Sequence, residues 1–419
     1  MPADAYRRNF AVLTFDGLLF FLGMIFISYE AVLPVFLARL GAPRIAIAVV
    51  PVAIVLGVNI PSLFSAPLVE QLERKRPFVL RYALWQRIPW AVTAAAIPIL
   101  AIGNPGVLIA LILVCVIVAT VAAGLLIPAF FDIVAGTIPV DRRGTLFALR
   151  SVLSYLFGIG GGFLVRLILE RVAFPVNYAL LYAIATVILT AGMIVFAQIR
   201  ESPSRAPAPD SLSNASRISR VTGLLRTDAH FRAYIVARVF MVLSFAGTSF
   251  FPIYLVERFG LPDSESGVFA IITAATFVIV NPVFGRIGNR VGYKPVMVVS
   301  YGALGVAAVL GFVGVETPWA YALVACTAVG QSVNLLAWNM TVEFAPPGQV
   351  PTYIGVSGFL IGIVAPLAIL TGVVVDVFGF NGLFVMTGFT AAAGGIIMGF
   401  GVREPRVRQR RLNQPDVPI

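Results

Sequence analysis

Two carboxylates, Asp16 and Glu30, stand in the first apolar stretch with Gly23 midway between them. Two successive heptads nearly close on an α-helix, so the spacing places all three on one stripe. A carboxylate withdrawn from water can take up and release a proton during a cycle, which makes Glu30 and Asp16 candidates for proton coupling. For Glu30 a structural helix-end contact stays open as the alternative; for Asp16 a structural ion pair is the stronger reading. A second set lies in "GQSVNLLAWNMTVEF" from Gly330: Gln331, Asn334, Trp338 and Thr341 share a helical face, and Asn339 and Glu343 a neighbouring one. Amides and an aromatic on one stripe can orient an organic solute by hydrogen bonds and stacking. Interhelical hydrogen bonding is the plainer alternative. Arg87 and Arg238 each sit about two turns into apolar stretches, from which an arginine can snorkel. Asp132 and Arg150 lie at comparable depth on consecutive stretches and could pair across the hairpin as a latch.

The elements that carry these residues must lie in lipid. Of 419 residues 59% are hydrophobic and 12% charged, against roughly 25% charged in a soluble domain. Backbone groups in hydrocarbon must pair within helices or a closed barrel, and the alternating ten-residue segments of a barrel are absent. An apolar stretch of about 20 residues spans the hydrocarbon. Twelve such stretches follow, at 10–38, 45–69, 78–101, 105–137, 146–170, 176–199, 231–257, 265–285, 295–315, 318–343, 352–376 and 381–401. The first is too long for a signal-peptide core and is read as a retained span. Cys115 and Cys326 lie far apart in apolar stretches and read as small buried hydrophobes. The net charge of +11 is distributed asymmetrically: only Arg39, Arg44, Arg166, Arg171 and Arg258 follow odd-numbered spans. That asymmetry implies a multi-pass protein of the cytoplasmic membrane with both termini in the cytoplasm, and a basic tail that is a topology signal and not a nucleic-acid site.

The chain repeats itself. "RESPSRAPAPDSLSNASRISRVTGLLRTDAH" reads as a flexible linker, with a short amphipathic helix near Ile218–Leu225. It divides the chain into a six-helix bundle at 1–199, a cytoplasmic linker at 200–230, a second bundle at 231–402 and a basic tail at 403–419. "APLVEQLERKRPFVL" after span two matches "GRIGNRVGYKPVMVV" after span eight, and "IRESP" after span six matches "VREP" after span twelve. A helix-end cap explains both copies of the second motif.

In these loops the chain resembles the major facilitator superfamily, whose motif after spans two and eight runs Gly-x-Leu-x-Asp-Arg-x-Gly-Arg-Arg. Gly285, Ile287, Asn289, Arg290, Gly292 and Lys294 follow it, with Asn289 in place of the acid; Ala66, Glu70 and Glu73 depart from it in the first copy. The resemblance implies an all-α membrane fold of twelve transmembrane helices in two pseudo-symmetric six-helix bundles, working by alternating access. It places spans one, four, seven and ten around a central cavity, which makes Arg238 the better cavity candidate. It also makes Glu70, Arg74, Gly285, Asn289, Arg290, Gly292 and Lys294, with Asp132 and Arg150, a candidate cytoplasmic gate. Here Arg286, Arg290 and Lys294 would meet carbonyl ends of neighbouring helices.

Drug antiporters of this superfamily carry an arginine in span four and a Gly-Pro pattern in span five; here neither is present. No phosphate-binding loop, metal-ligand cluster or nucleophile elbow is evident, so an enzyme, an ATP-driven pump, a metal and any other cofactor lack support. The expectation is a monomeric secondary transporter of a small organic solute, coupled to protons, with efflux of an amphipathic compound ahead of uptake of a sugar-like or other polar solute. A non-transporting binding or assembly protein of the same fold is the alternative.

Overall fold

The computed structural model describes residues 3–201, 228–314, 316–345 and 350–405. The expected helix near Ile218–Leu225, most of the linker and most of the basic tail lie outside the described residues.

Among the described residues every regular element is helical: α1 (Ala3–Ile27), α2 (Val32–Arg39), α3 (Arg44–Glu70), α4 (Arg76–Leu100), α5 (Pro105–Thr137), α6 (Val140–Arg171), α7 (Val176–Phe196), α8 (Ala229–Thr248), α9 (Phe251–Phe259), α10 (Glu265–Val291), α11 (Tyr293–Val313), α12 (Thr317–Gln331), α13 (Val333–Phe344), α14 (Val350–Val364) and α15 (Leu370–Ile396). A 3-10 turn, Ala365–Ile369, joins α14 to α15, and a π turn, Ile397–Gly401, ends α15. α15 is interrupted at Gly379, whose φ of 65° suits glycine, so that two helices meet there across a kink.

Joined across their breaks, these helices make twelve successive segments, consistent with twelve crossings. Nine described stretches are long and apolar enough to span a bilayer, the last running through segments eleven and twelve. The two segments without such a stretch have local reasons. Gln86 and Arg87 lower the apolarity of α4, and segment ten is divided at Ser332 into α12 and α13, each short. Large apolar side chains lie outward, Ile102 at 77% and Phe400 at 90% exposure. Acyl chains are as apolar as these side chains, so such faces carry no penalty in a bilayer. The multi-pass membrane reading of the sequence holds.

Three of the breaks were not expected. Segment one stops at Ile27 and restarts at Val32, across Ser28 (φ 29°), whose Oγ accepts from the Ala31 N–H at 3.1 Å. Segment seven is divided between Thr248 and Phe251, and segment ten at Ser332. The division at Ser28 takes Glu30 out of the helix that carries Asp16 and Gly23, so the expected single stripe does not form.

By contact the chain forms two compact units, residues 1–209 with 249–278, and residues 210–248 with 279–419. Unit 1 holds α1–α7, α9 and the first half of α10; in it α1 packs on α6 and α7, and α4 on α5 and α7. In unit 2, α8 packs on α14 and α15, and α11 on α12 and α15. Segments one, three, four, five and six thus meet as segments seven, nine, ten, eleven and twelve do, which is the sequence repeat expressed in packing.

Candidate functional site

Unit 1 buries a charged triad. Asp16 on α1 faces Arg150 on α6, with Oδ2 3.4 Å from Nη2, and both side chains are about nine-tenths buried. Gly17 makes this possible: a Cβ there would lie 2.0 Å from Arg150 Nε. The Arg150 guanidinium also lies 5.0 Å from the Phe130 ring centroid on α5. Arg87 on α4 is buried nearby. Its Nε donates to the Leu189 carbonyl at 2.9 Å, and its Nη1 to the Ala83 carbonyl and to Gln86 Oε1. The expected pairing of Asp132 with Arg150 is therefore corrected. Asp132 pairs instead with Lys75 Nζ at 3.0 Å, because Arg150 points inward to α1.

The predicted polar stripe of segment ten turns towards α8 in unit 2. Thr341 Oγ1 lies 2.8 Å from the Tyr234 hydroxyl, and Gln331 Nε2 lies 3.4 Å from Thr248 Oγ1. Trp338 presents its ring to Arg238, centroid to Cζ 5.2 Å; Tyr234 stands at 6.0 Å. Arg238 is buried and donates from Nη1 to Ser357 Oγ on α14 at 2.9 Å. Asn339 is exposed on another face, and the side chain of Asn334 lies outside the described residues. The structure thus gathers Arg238, Trp338 and Thr341, and leaves Gln331 one level away. Glu30 lies exposed in the break of segment one.

The loops show what the repeated motifs do. Glu201 of "RESP" accepts the Lys75 and Arg76 N–H groups at 2.7 and 2.9 Å, closing the start of α4. Glu404 of "VREP" accepts the Lys294 N–H at 3.0 Å, closing the start of α11. Gly292 has φ 114°, and a Cβ there would meet the Glu404 carboxylate at 2.2–2.5 Å. The reading of both motifs as helix caps holds. The expected carbonyl contacts of Arg286 and Arg290 are not found among the described residues; both are exposed. Those contacts come instead from Arg76, which donates to the Ala197 and Ile199 carbonyls, and Arg143, which donates to the Ala135 and Ile138 carbonyls. Arg74 is exposed and Gly285 touches no side chain a Cβ would reach; the Glu70 and Asn289 side chains lie outside the described residues.

Sequence reasoning missed a polar cluster at the opposite helix ends of unit 1. Arg39 pairs with Asp263 over the Phe174 ring, and the Tyr178 hydroxyl donates to the same carboxylate at 3.1 Å. Arg44 Nη2 lies 2.8 and 2.9 Å from the two Glu257 oxygens, and Arg166 pairs with Glu170 at 2.7 Å. A signal was available: "LPVFLARLG" ending segment one repeats as "FPIYLVERFG" ending segment seven, and both close on a positive-φ glycine, Gly41 or Gly260.

Cys115 is buried and Cys326 half-buried, both free thiols. An apolar groove of about 560 Å³ between α4 and α7, lined by Ala91, Ala95, Ala183 and Thr186 among others, offers almost no polar surface to a solute. Among the described residues no three His, Cys, Asp or Glu side chains are grouped to hold a metal.

Comparison with known proteins agrees with this architecture. The family model of the Major Facilitator Superfamily matches residues 18–368 and 250–417. The chain is similar in structure to a D-xylose-proton symporter (TM-score 0.71, 14% identity, 96% of this chain and 98% of that one). It is also similar to a POT family transporter bound to 5-aminolevulinic acid (0.72, 14%, 94% and 96%). A third is the nucleoside transporter NupG in a mutant form (0.72, 10%, 95% and 100%). At these identities the likeness carries the fold. No curated protein matches the chain by sequence.

Proposed function

Since the chain belongs to the major facilitator superfamily, whose model spans most of its length, we propose that it is a secondary active transporter of a small organic solute working by alternating access. One observation carries this reading. The polar side chains of segments seven, ten and eleven converge on Arg238 and Trp338 in unit 2, where a passive lipid-embedded scaffold would keep apolar packing. The aromatic face of Trp338 beside hydroxyls suits an amphipathic solute, and outward movement is the direction we assign. Both termini lie in the cytoplasm by the charge asymmetry of the loops, and the two six-helix halves, 1–199 and 231–402, are the moving bodies.

Proton coupling is assigned to Asp16, with Glu30 as the second carboxylate. Protonating Asp16 would cancel its attraction for Arg150 and free that guanidinium, which ties charge state to helix position between α1 and α6. The capped loops at Lys75 and Lys294 form the cytoplasmic gate, and the cluster at Arg39, Arg44, Asp263 and Glu257 the opposing one.

The reading is tested in proteoliposomes by counterflow of radiolabelled solutes and by uptake driven by an imposed pH gradient. Solute-specific exchange above protein-free vesicles is expected, with acceleration by the gradient in wild type and not in Asp16→Asn. Equal rates with and without the gradient would remove proton coupling; no exchange of any solute that stabilises the purified protein would remove transport.

A further inference from the structure

We propose that the solute is an organic acid, and that Arg238 with Ser357 and Trp338 forms the subsite for its anionic group. The proposal deepens the transporter reading above and rests on it. It starts from a contrast between the buried cations. Arg150 faces Asp16 and Lys75 faces Asp132, while Arg87 gives its N–H groups to backbone carbonyls and the Gln86 amide. Arg238 is 7% exposed, yet among the described residues no carboxylate lies within ion-pair distance of it.

A guanidinium carries five N–H donors in a fixed fork. Here Nη1 donates to Ser357 Oγ, itself fully buried, and two aromatic rings face the cation at 5.2 and 6.0 Å. Neither hydroxyl nor ring neutralises the charge. A buried cation without an anion is costly, and a structural role would be served by a carboxylate on a neighbouring helix, as for Arg150. A carboxylate, phosphonate or sulfonate supplied by the solute matches the fork in geometry and charge. Trp338 fixes the rest of the ligand: half-buried, it offers a flat apolar wall beside the cation, suited to an aromatic or short aliphatic body. Tyr234, tied to Thr341, holds the wall between α8 and α13 in place.

The test uses the full-length protein purified in detergent, with benzoate, hexanoate and phenylphosphonate against the neutral isosteres benzamide, hexanamide and benzyl alcohol. Binding is read from the shift in Tm with ligand concentration. At least one acid should bind wild type 10-fold or more tightly than its neutral counterpart. Arg238→Gln should remove that preference; Arg238→Lys, which keeps charge and loses the fork, should weaken the acid several-fold and leave the neutral probe unchanged. Should Arg238→Gln fail to fold, Arg238→Lys decides. The proposal is overturned if no acid stabilises wild type, if neutral isosteres bind equally, or if acid affinity is the same in every foldable Arg238 variant. Flux of the bound acid in proteoliposomes separates the two readings. Arg238-dependent binding without flux would remove transport and leave the subsite. Flux of neutral solutes unaffected at Arg238 would keep transport and remove the subsite.

Discussion

Asp16 and Arg150 show how much a pair of residues can reveal before their partners are known. Charged side chains inside apolar stretches announce themselves, and both were legible as types that need a reason. Their pairing was not, because depth along a helix says nothing of the direction in which a side chain leaves it. Asp132 and Arg150 share a depth, yet Lys75 takes the one and Asp16 the other. Removing one member of a buried pair leaves the other uncompensated. Asp16→Ala should therefore cost about 3 kcal/mol, read as a lower Tm in detergent, and Asp16→Ala with Arg150→Leu should cost less than the sum of the single changes. An additive result would mean that the pair is not coupled. Gly292 offers a second test. Any side chain there meets Glu404 and must hold a φ of 114°, so Gly292→Ala should destabilise by about 1–3 kcal/mol. Glu404→Ala in the same chain should relieve the clash and leave the backbone strain.

At the scale of elements, "IRESP" and "VREP" were readable as caps because a motif repeated at the same point of each half needs a role common to both. The structure supplies the receiving ends, α4 for Glu201 and α11 for Glu404. Each carboxylate satisfies N–H groups at a helix start, where no intrahelical acceptor exists. Glu201→Ala and Glu404→Ala should each cost about 0.5–2 kcal/mol. The losses should add, since the caps belong to different units; a strongly non-additive pair would sink the independence of the two caps. The break in segment one was not legible. "FISYEAV" contains no proline or glycine, and the break rests on Ser28 at φ 29°, whose Oγ accepts from the Ala31 N–H. A serine in an apolar helix is ordinary, and only the packed conformation shows this one to be a break.

At the scale of the molecule, residues 249–278 belong by contact with unit 1, although they follow the linker. Arg39 and Arg44 hold them through Asp263 and Glu257. If this cluster is a gate, Asp263→Asn should speed labelling of an Ala31→Cys probe by a membrane-impermeant maleimide, in a background lacking Cys115 and Cys326, while unchanged labelling would reduce the cluster to a fixed brace. Solvation decides how far the sequence alone reaches. Lipid as solvent demands long apolar helices with their charges at the ends, so helix number, membrane class and twofold repeat are written locally, in composition and spacing. Which carboxylate meets which cation, where a helix breaks, and that Arg238 stands against Trp338 and Ser357 depend on helices distant in the chain. Those relations exist only once the helices pack, because a buried charge is settled by whatever side chain the fold brings within a few ångströms.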